Sequence, residues 1–229
     1  MCGRFSQAQI AELDREVFKL LSIPALPPRY NVAPTQEAAV IRETPAQGRE
    51  LVPLRWGLIP SWAKDPAMGN RMINARAESV ADKPAFKDAF RERRCLVPSE
   101  GFYEWRKAAR GKQPYYVRVL AGRVFAFAGL WERWWDRAGG DEHETFTIIT
   151  TEPNELLRPI HDRMPVILEP RDYDRWLDPE HPDPEELRGL LKPYPSEQMS
   201  YYPVSAYVNK PEHEGPECIA PLDQQAELP

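Results

Sequence analysis

Cys2 follows the initiator methionine directly. Methionine is normally removed when a small side chain comes next, so the mature chain is expected to begin on cysteine. A terminal cysteine carries a thiol and a free α-amine on adjacent carbons, a 1,2-aminothiol that no internal cysteine has. The reference pKa values are about 7.7–8.0 for the amine and about 8.5 for the thiol, so both are expected to be partly deprotonated near neutrality. Such a group has one characteristic reaction. The amine condenses with an aldehyde to an imine, and the thiol closes onto the imine carbon to give a five-membered thiazolidine. An inert cysteine after a start residue is the plain alternative, and other residues must decide.

Five further kinds of residue could share that chemistry or hold its substrate. Glu104 interrupts an aromatic run between Tyr103 and Trp105. Facing solvent it is only the polar half of an alternating strand; facing a cleft its pKa rises and it becomes a general acid or base. His161 lies in the rigid segment Pro159–Pro165, whereas His143, His181 and His213 lie in acidic segments. It titrates near neutrality and suits proton transfer, or it satisfies a loop carbonyl. The amide of Asn74 can hold a substrate oxygen or serve a turn. Arg4, Arg76 and Arg163 each lie within two residues of one of these groups, and arginine's planar fork suits phosphate. Trp56, Trp62 and Trp105 can stack on exposed bases or fill a core.

The elements that must position these groups follow from periodicity. Ile10, Leu13, Val17, Leu20 and Leu21 predict an amphipathic helix over residues 6–22, capped by Ser6 and stopped by Pro24. Residues 37–42 and 51–56 read as strands, and residues 63–80 as extended or looped. A helix is expected from near Pro84, capped by Asp82, with Phe86 and Phe90 on one face. Residues 95–97 and 101–105 read as strands. Residues 115–120 and 123–130 read as a hairpin across Ala121-Gly122. Residues 145–151 form a further strand, 153–157 a helical turn, and 160–168 a segment ending in a strand. Residues 171–177 and 184–191 read as acidic surface helices, and 199–204 as a last strand. The fold class expected is α+β, a single domain over residues 2–229 around an antiparallel, barrel-like sheet with peripheral helices. Residues 211–229 are expected to form an extended polar tail.

Composition narrows the function. The chain has 229 residues, 42% hydrophobic and 28% charged, with 25 prolines against 12 glycines, so short elements joined by rigid turns are expected. No apolar run approaches the roughly 18–20 residues of a membrane span. The start lacks the basic and apolar regions of a secretory signal. Three scattered cysteines suit neither a disulfide framework nor a zinc site, and no metal or cofactor is expected. The expected compartment is the reducing cytoplasm, which would keep Cys2 reactive. Net charge is −5, yet residues 55–137 are basic and residues 138–229 strongly acidic, so an anion-binding face on an acidic body is possible.

Six motifs in order carry a resemblance: Met1–Phe5, Tyr30–Thr35, Arg55–Pro60, Asn74–Glu78, Gly101–Trp105 and Ile160–Pro165, with Pro216-Glu217-Cys218 in the tail. Together they resemble the SRAP family, SOS-response-associated peptidase-like proteins that process abasic sites in DNA. The resemblance implies binding to single-stranded DNA with an abasic site, preferentially near a duplex junction. It implies covalent capture of the ring-opened sugar aldehyde by Cys2 as a thiazolidine, which shields the site during the DNA damage response. Asn74 and His161 would shape the pocket, Glu104 would be the acid/base, Arg4, Arg76 and Arg163 would hold phosphates, and Trp105 would contact the strand. Lyase activity, peptidase-like removal of Met1, nucleoid association and a monomer acting without a cofactor are part of the same expectation. Two alternatives stay open from the residues alone. One is an N-terminal-nucleophile cysteine peptidase or hydrolase using Cys2, His161 and Glu104. The other is a non-enzymatic single-stranded nucleic-acid binder.

Overall fold

The computed structural model describes residues 2–109, 111–120, 124–136, 139–180 and 183–222. The strands are β1 (Phe5–Gln7), β2 (Arg29–Val32), β3 (Glu37–Thr44), β4 (Gly48–Trp56), β5 (Asn74–Arg76), β6 (Arg94–Ser99), β7 (Gly101–Lys107), β8 (Lys112–Val119), β9 (Phe125–Trp135), β10 (Glu142–Thr151), β11 (Met164–Pro165), β12 (Ile167–Leu168) and β13 (Met199–Pro203). The helices are short: α1 (Arg15–Phe18), α2 (Lys87–Glu92), α3 (Tyr173–Leu177) and α4 (Pro184–Leu190).

The α+β expectation holds. β4, β3, β6 and β9 pair in that order, and β10 pairs with both β9 and β4, which closes a five-stranded barrel. The barrel is not wholly antiparallel, because β10 runs parallel to β4 and to β5. A second sheet has the order β13-β8-β7-β1-β2. On one face of β6 and β9, Leu96, Ala126, Ala128 and Leu130 pack with Phe90, Tyr173, Trp176 and Leu187 of the helices. On the other face Cys95, Val97 and Phe127 join Phe5, Phe102 and Val117 of the second sheet. Phe5 meets Trp56 and Phe127 edge-on at 5.0 and 5.9 Å between centroids. Each such buried ring contributes about 1.5–3 kcal/mol of burial free energy.

Several local expectations are corrected. The helix over 6–22 is a strand, a 3-10 turn at Ile10–Glu12 and then α1. Ser6 caps nothing; it is buried in β1 and its hydroxyl meets the Tyr116 hydroxyl at 2.7 Å. Asp14 is the cap, accepting from Glu16 and Val17 amides. The expected hairpin fails because β8 pairs with β7 and β13 while β9 lies in the barrel; its turn, 121–123, lies outside the described residues. Helix α2 starts at Lys87 without an aspartate cap, and Asp82 pairs with Arg188. Helix α3 buries Tyr173, Trp176 and Leu177, so it is a core helix. The expected tail packs over residues 211–222, where Pro221 bridges Val204 and Cys218 is fully buried; residues 223–229 lie outside the described residues.

Gly101, where β7 leaves β6, shows how tightly the second sheet is built. A Cβ there would sit 2.2 Å from the Tyr116 ring. Tyr116 is buried between Tyr103 and Tyr202 and cannot retreat. Gly101→Ala should therefore destabilise the chain by about 1–3 kcal/mol, read as a lowered urea midpoint.

Candidate active site

The amino-terminal segment is held from both sides. β1 pairs with β7 through Phe5 opposite Phe102 and Ser6 opposite Gly101, and with β2 through Phe5 opposite Val32. The Tyr103 amide donates to the Arg4 carbonyl at 3.0 Å. Carried one step further, that register sets Gly3 opposite Glu104.

Alternation along β7 then divides the site residues. Glu104 shares a face with Phe102, and Phe102 and Cys2 lie in one apolar cluster. Trp105 shares the opposite face with Tyr103. Arg4 is on that second face, its guanidinium carbon 5.8 Å from the Trp105 centroid. The structure therefore brings Cys2 and Glu104 together and places Arg4 and Trp105 across the sheet from them.

Burial sets the electrostatics. Glu104 is 2% exposed. Loss of water pushes its pKa up to about 8; the positive amino terminus opposes the shift and Asp162 adds to it. Cys2 is 0% exposed. Burial, and then the charge of Glu104, holds its thiol far above the ordinary range. The expectation of a partly ionised thiol is corrected on this point: in the chain with Met1 in place it is a neutral thiol.

His161 ends the turn after β10. Asn154 starts that turn by accepting from the Leu157 amide at 3.0 Å, and the His161 amide donates to the Leu157 carbonyl at 3.0 Å. Burial, then the amino terminus, lowers the His161 pKa and keeps the ring neutral. Its Nδ1 accepts from the Arg163 amide at 3.1 Å and lies 2.9 Å from an Asp162 carboxylate oxygen. An acceptor Nδ1 leaves the proton on Nε2, and we assign that tautomer over an ion pair because the ring is neutral. Asp162 and Lys112 act on both Glu104 and His161, which places these groups in one neighbourhood.

Asn74 pairs with Ile148 of β10, and its Nδ2 donates to the Ile73 carbonyl at 2.9 Å. Its buried Oδ1 has no hydrogen-bond partner among the described residues, leaving an acceptor for an incoming donor. Ile73, Ile148 and Ile160 belong to the same apolar cluster as Cys2, so Asn74 and His161 flank it. Arg76 is exposed at the end of β5. Arg163 makes a two-pronged pair with Glu78 at 2.7 and 3.0 Å and donates to the Thr150 carbonyl at 2.6 Å.

A groove of about 750 Å³ opens beside these groups, lined by Trp105, Arg106, Lys112, Arg158, His161 and Asp162 among others. Sequence reasoning missed Arg106, Lys112 and Arg158 as individuals; only the basic excess of residues 55–137 pointed toward the first two. It also missed Glu78 and Asn31, whose roles arise from partners distant in the chain. Among the described residues no cluster of His, Cys, Asp or Glu could hold a metal ion, all three cysteines are free and buried, and no helix is long and apolar enough to cross a membrane.

Fold and site together define a class: an α+β barrel protein whose second sheet takes in the amino-terminal strand and sets a buried cysteine beside a protonated glutamate. Comparison with known sequences makes the class specific. The sequence model described as SOS response associated peptidase (SRAP) matches residues 1–211, and the chain belongs to that family. It is 44% identical over 225 residues to the abasic site processing protein YoqW of Bacillus subtilis, covering 96% of this chain and 99% of the relative. It is 31% identical to the abasic site processing protein HMCES of Gallus gallus, covering 86% of this chain and 67% of the relative. A crystal structure of a Bacteroides thetaiotaomicron protein superposes with a TM-score of 0.84 at 32% identity, over 96% of this chain and 99% of that one.

Glu104 makes the site detectable in stability measurements. Its native pKa lies above its ordinary 4.5, so its stabilising contribution is complete below pH 4.5 and is lost as pH rises through about 8. Unfolding free energies from urea titrations across pH 4–9 should show that loss in the parent, on the order of 4–5 kcal/mol, and Glu104→Gln should flatten it.

Proposed function

We propose that this chain processes abasic sites in single-stranded DNA by covalent capture through Cys2. The observation that carries the reading is the pairing of β1 with β7, which sets the amino-terminal cysteine beside a glutamate that is protonated at neutral pH. The similarity to proteins named for abasic site processing supports the substrate.

Removal of Met1 frees the Cys2 amine. In its neutral form the amine attacks C1 of the open-chain sugar aldehyde and gives a carbinolamine. Protonated Glu104 donates to the leaving hydroxyl, water departs and an imine forms. The imine forms as its iminium, so when the carboxylate so produced takes the thiol proton and sulfur adds to the carbon, nitrogen is left neutral and Glu104 is an acid again. One aldehyde and one aminothiol become one thiazolidine and one water. An acid with a pKa near the working pH can serve both steps, and a neutral resting thiol suffices because sulfur is activated only after the imine exists. The neutral His161 offers Nε2–H to a sugar oxygen, and Asn74 offers its Oδ1 acceptor.

The strand would lie along the basic groove, held by phosphate contacts to Arg76, Arg106, Lys112 and Arg158, with Trp105 as a stacking surface. Arg163 must share its charge between Glu78 and a phosphate. Arg4 is 8% exposed and already donates to Asn31 and to the Val208 carbonyl, so it contributes mainly by holding the strand that bears Cys2. The alternative, an N-terminal-nucleophile cysteine peptidase or hydrolase, starts from the same free terminus; while Met1 is in place, burial works against a Cys2 thiolate.

Mixing the processed protein with an abasic oligonucleotide should give a covalent species that survives a denaturing gel. Cys2→Ala and a blocked amino terminus should abolish it and leave strand affinity within about threefold. Stable capture by a blocked chain would refute the aminothiol mechanism. The capture rate should be bell-shaped in pH. The rising limb reports deprotonation of the amine, about 7.7–8.0 in reference compounds. The falling limb reports loss of the Glu104 proton at about 8 and should vanish in Glu104→Gln, which should be slowed by about 10²–10⁴.

A further inference from the structure

The motif Tyr30–Thr35 and the segment after β13 take no part in the chemistry above, yet they meet at one buried side chain. Asn31 is fully buried in β2. Its Oδ1 accepts from Arg4 Nη1 at 2.7 Å. Its Nδ2 faces three carbonyls of the carboxy-terminal segment: Val208 at 3.3 Å, Lys210 at 3.0 Å and His213 at 2.8 Å. Arg4 Nη1 also donates to the Val208 carbonyl at 2.8 Å. Glu214 closes the other side, accepting from the Arg29 side chain at 2.8 Å and from the Tyr30 amide at 2.7 Å. Cys218 is buried against the same cluster as Tyr103, and the Tyr202 hydroxyl donates to the Ile219 carbonyl at 2.8 Å. The segment 205–219 thus grips β2 from outside the sheet.

That grip reaches the groove through one contact. The Trp105 indole N–H donates to Asn209 Oδ1 at 2.7 Å, and the Arg4 guanidinium lies over the same ring. Arg4 is fixed by Asn31 and Val208, and Trp105 by Asn209, so both take their orientation from this segment. An indole half-exposed on a strand otherwise samples several rotamers, and a stacking surface loses that freedom on binding. Fixing the plane beforehand removes the loss.

We propose that residues 205–219 form a clasp that pre-orients Trp105 for single-stranded DNA, with Arg4 fixed behind its ring and Asn31 and Asn209 as positioning residues. The proposal rests on the DNA-capture reading and adds to it the segment after β13, which the chemistry at Cys2 does not use. The clasp acts on binding of the strand and leaves the covalent steps at Cys2 to Glu104.

The test is a double-mutant cycle in the full chain after Met1 removal: parent, Asn209→Ala, Trp105→Phe and the double variant. Each is measured for affinity to an unmodified single strand, for the rate of abasic capture, and for adduct formation with formaldehyde, which reaches Cys2 without DNA contacts. Asn209→Ala should weaken strand affinity by about three- to tenfold, the range expected for one lost hydrogen bond. It should slow capture by the same factor at subsaturating DNA only, and leave the formaldehyde adduct unchanged. In the Trp105→Phe background, which lacks the indole N–H, it should add nothing. Parent-like affinity for Asn209→Ala, an undiminished effect of Asn209→Ala in the Trp105→Phe background, or a changed formaldehyde reaction would each overturn the clasp. A parent that binds the strand with these dependences but captures no abasic site upholds the clasp and refutes the capture reading. A parent that does not bind the strand refutes both.

Discussion

The site depends on one backbone interaction: the antiparallel pairing of β1 with β7 in the interior of a five-stranded sheet. Chain ends usually fray because nothing pays for ordering them. Here Phe5 is paired with a strand on either side and fully buried, so the strand that follows Cys2 is as constrained as any core strand. The same pairing fixes which β7 side chain lies across from Gly3, and that residue is Glu104. A one-residue slip would present Trp105 or Tyr103 instead and turn Phe5 out of the core. Register at the amino terminus is therefore a condition for chemistry as well as for packing.

Burial acts on both partners of that pairing in the same direction, with opposite uses. It raises the Cys2 thiol and the Glu104 carboxyl together. A thiolate nucleophile would suffer from this, whereas an imine-forming amine gains an acid poised near neutral pH. His161 is lowered by the same loss of water and stays neutral, so it can donate a hydrogen bond without bringing a second charge into the site. The charged groups keep to the rim, where Arg106, Lys112 and Arg158 line the open groove. Buried acid–base groups beside an open, basic channel suit the proposed ligand, a polyanion with one aldehyde.

Much of the site was legible in the sequence because its residues break local patterns. Glu104 sits among aromatics where a strand would prefer to bury something apolar, and His161 is held between prolines. The six ordered motifs identified the family. Less of the fold was legible. Residues 6–22 carry helical spacing at Ile10, Leu13 and Val17, and that signal concealed β1, a three-residue strand stabilised wholly by partners about 25 and 95 positions away. β8 and β9 look like a hairpin because consecutive strands usually pair; here each finds a better apolar face in a different sheet. Asn31 was invisible as a keystone because an asparagine in a loop-like motif gives no local sign of carbonyls some 180 positions later. The polar tail was misjudged for a related reason: its hydrogen bonds, more than its apolar content, dock it.

The most direct measurement is peptide mass mapping of the protein–DNA species after nuclease digestion, with and without borohydride. The account predicts that the sugar remnant lies on the peptide beginning with Cys2, with the loss of one water and no hydride uptake, because a thiazolidine carbon resists reduction that an imine accepts. A remnant on an internal lysine, or on Cys2 as a fully reducible imine, would contradict it.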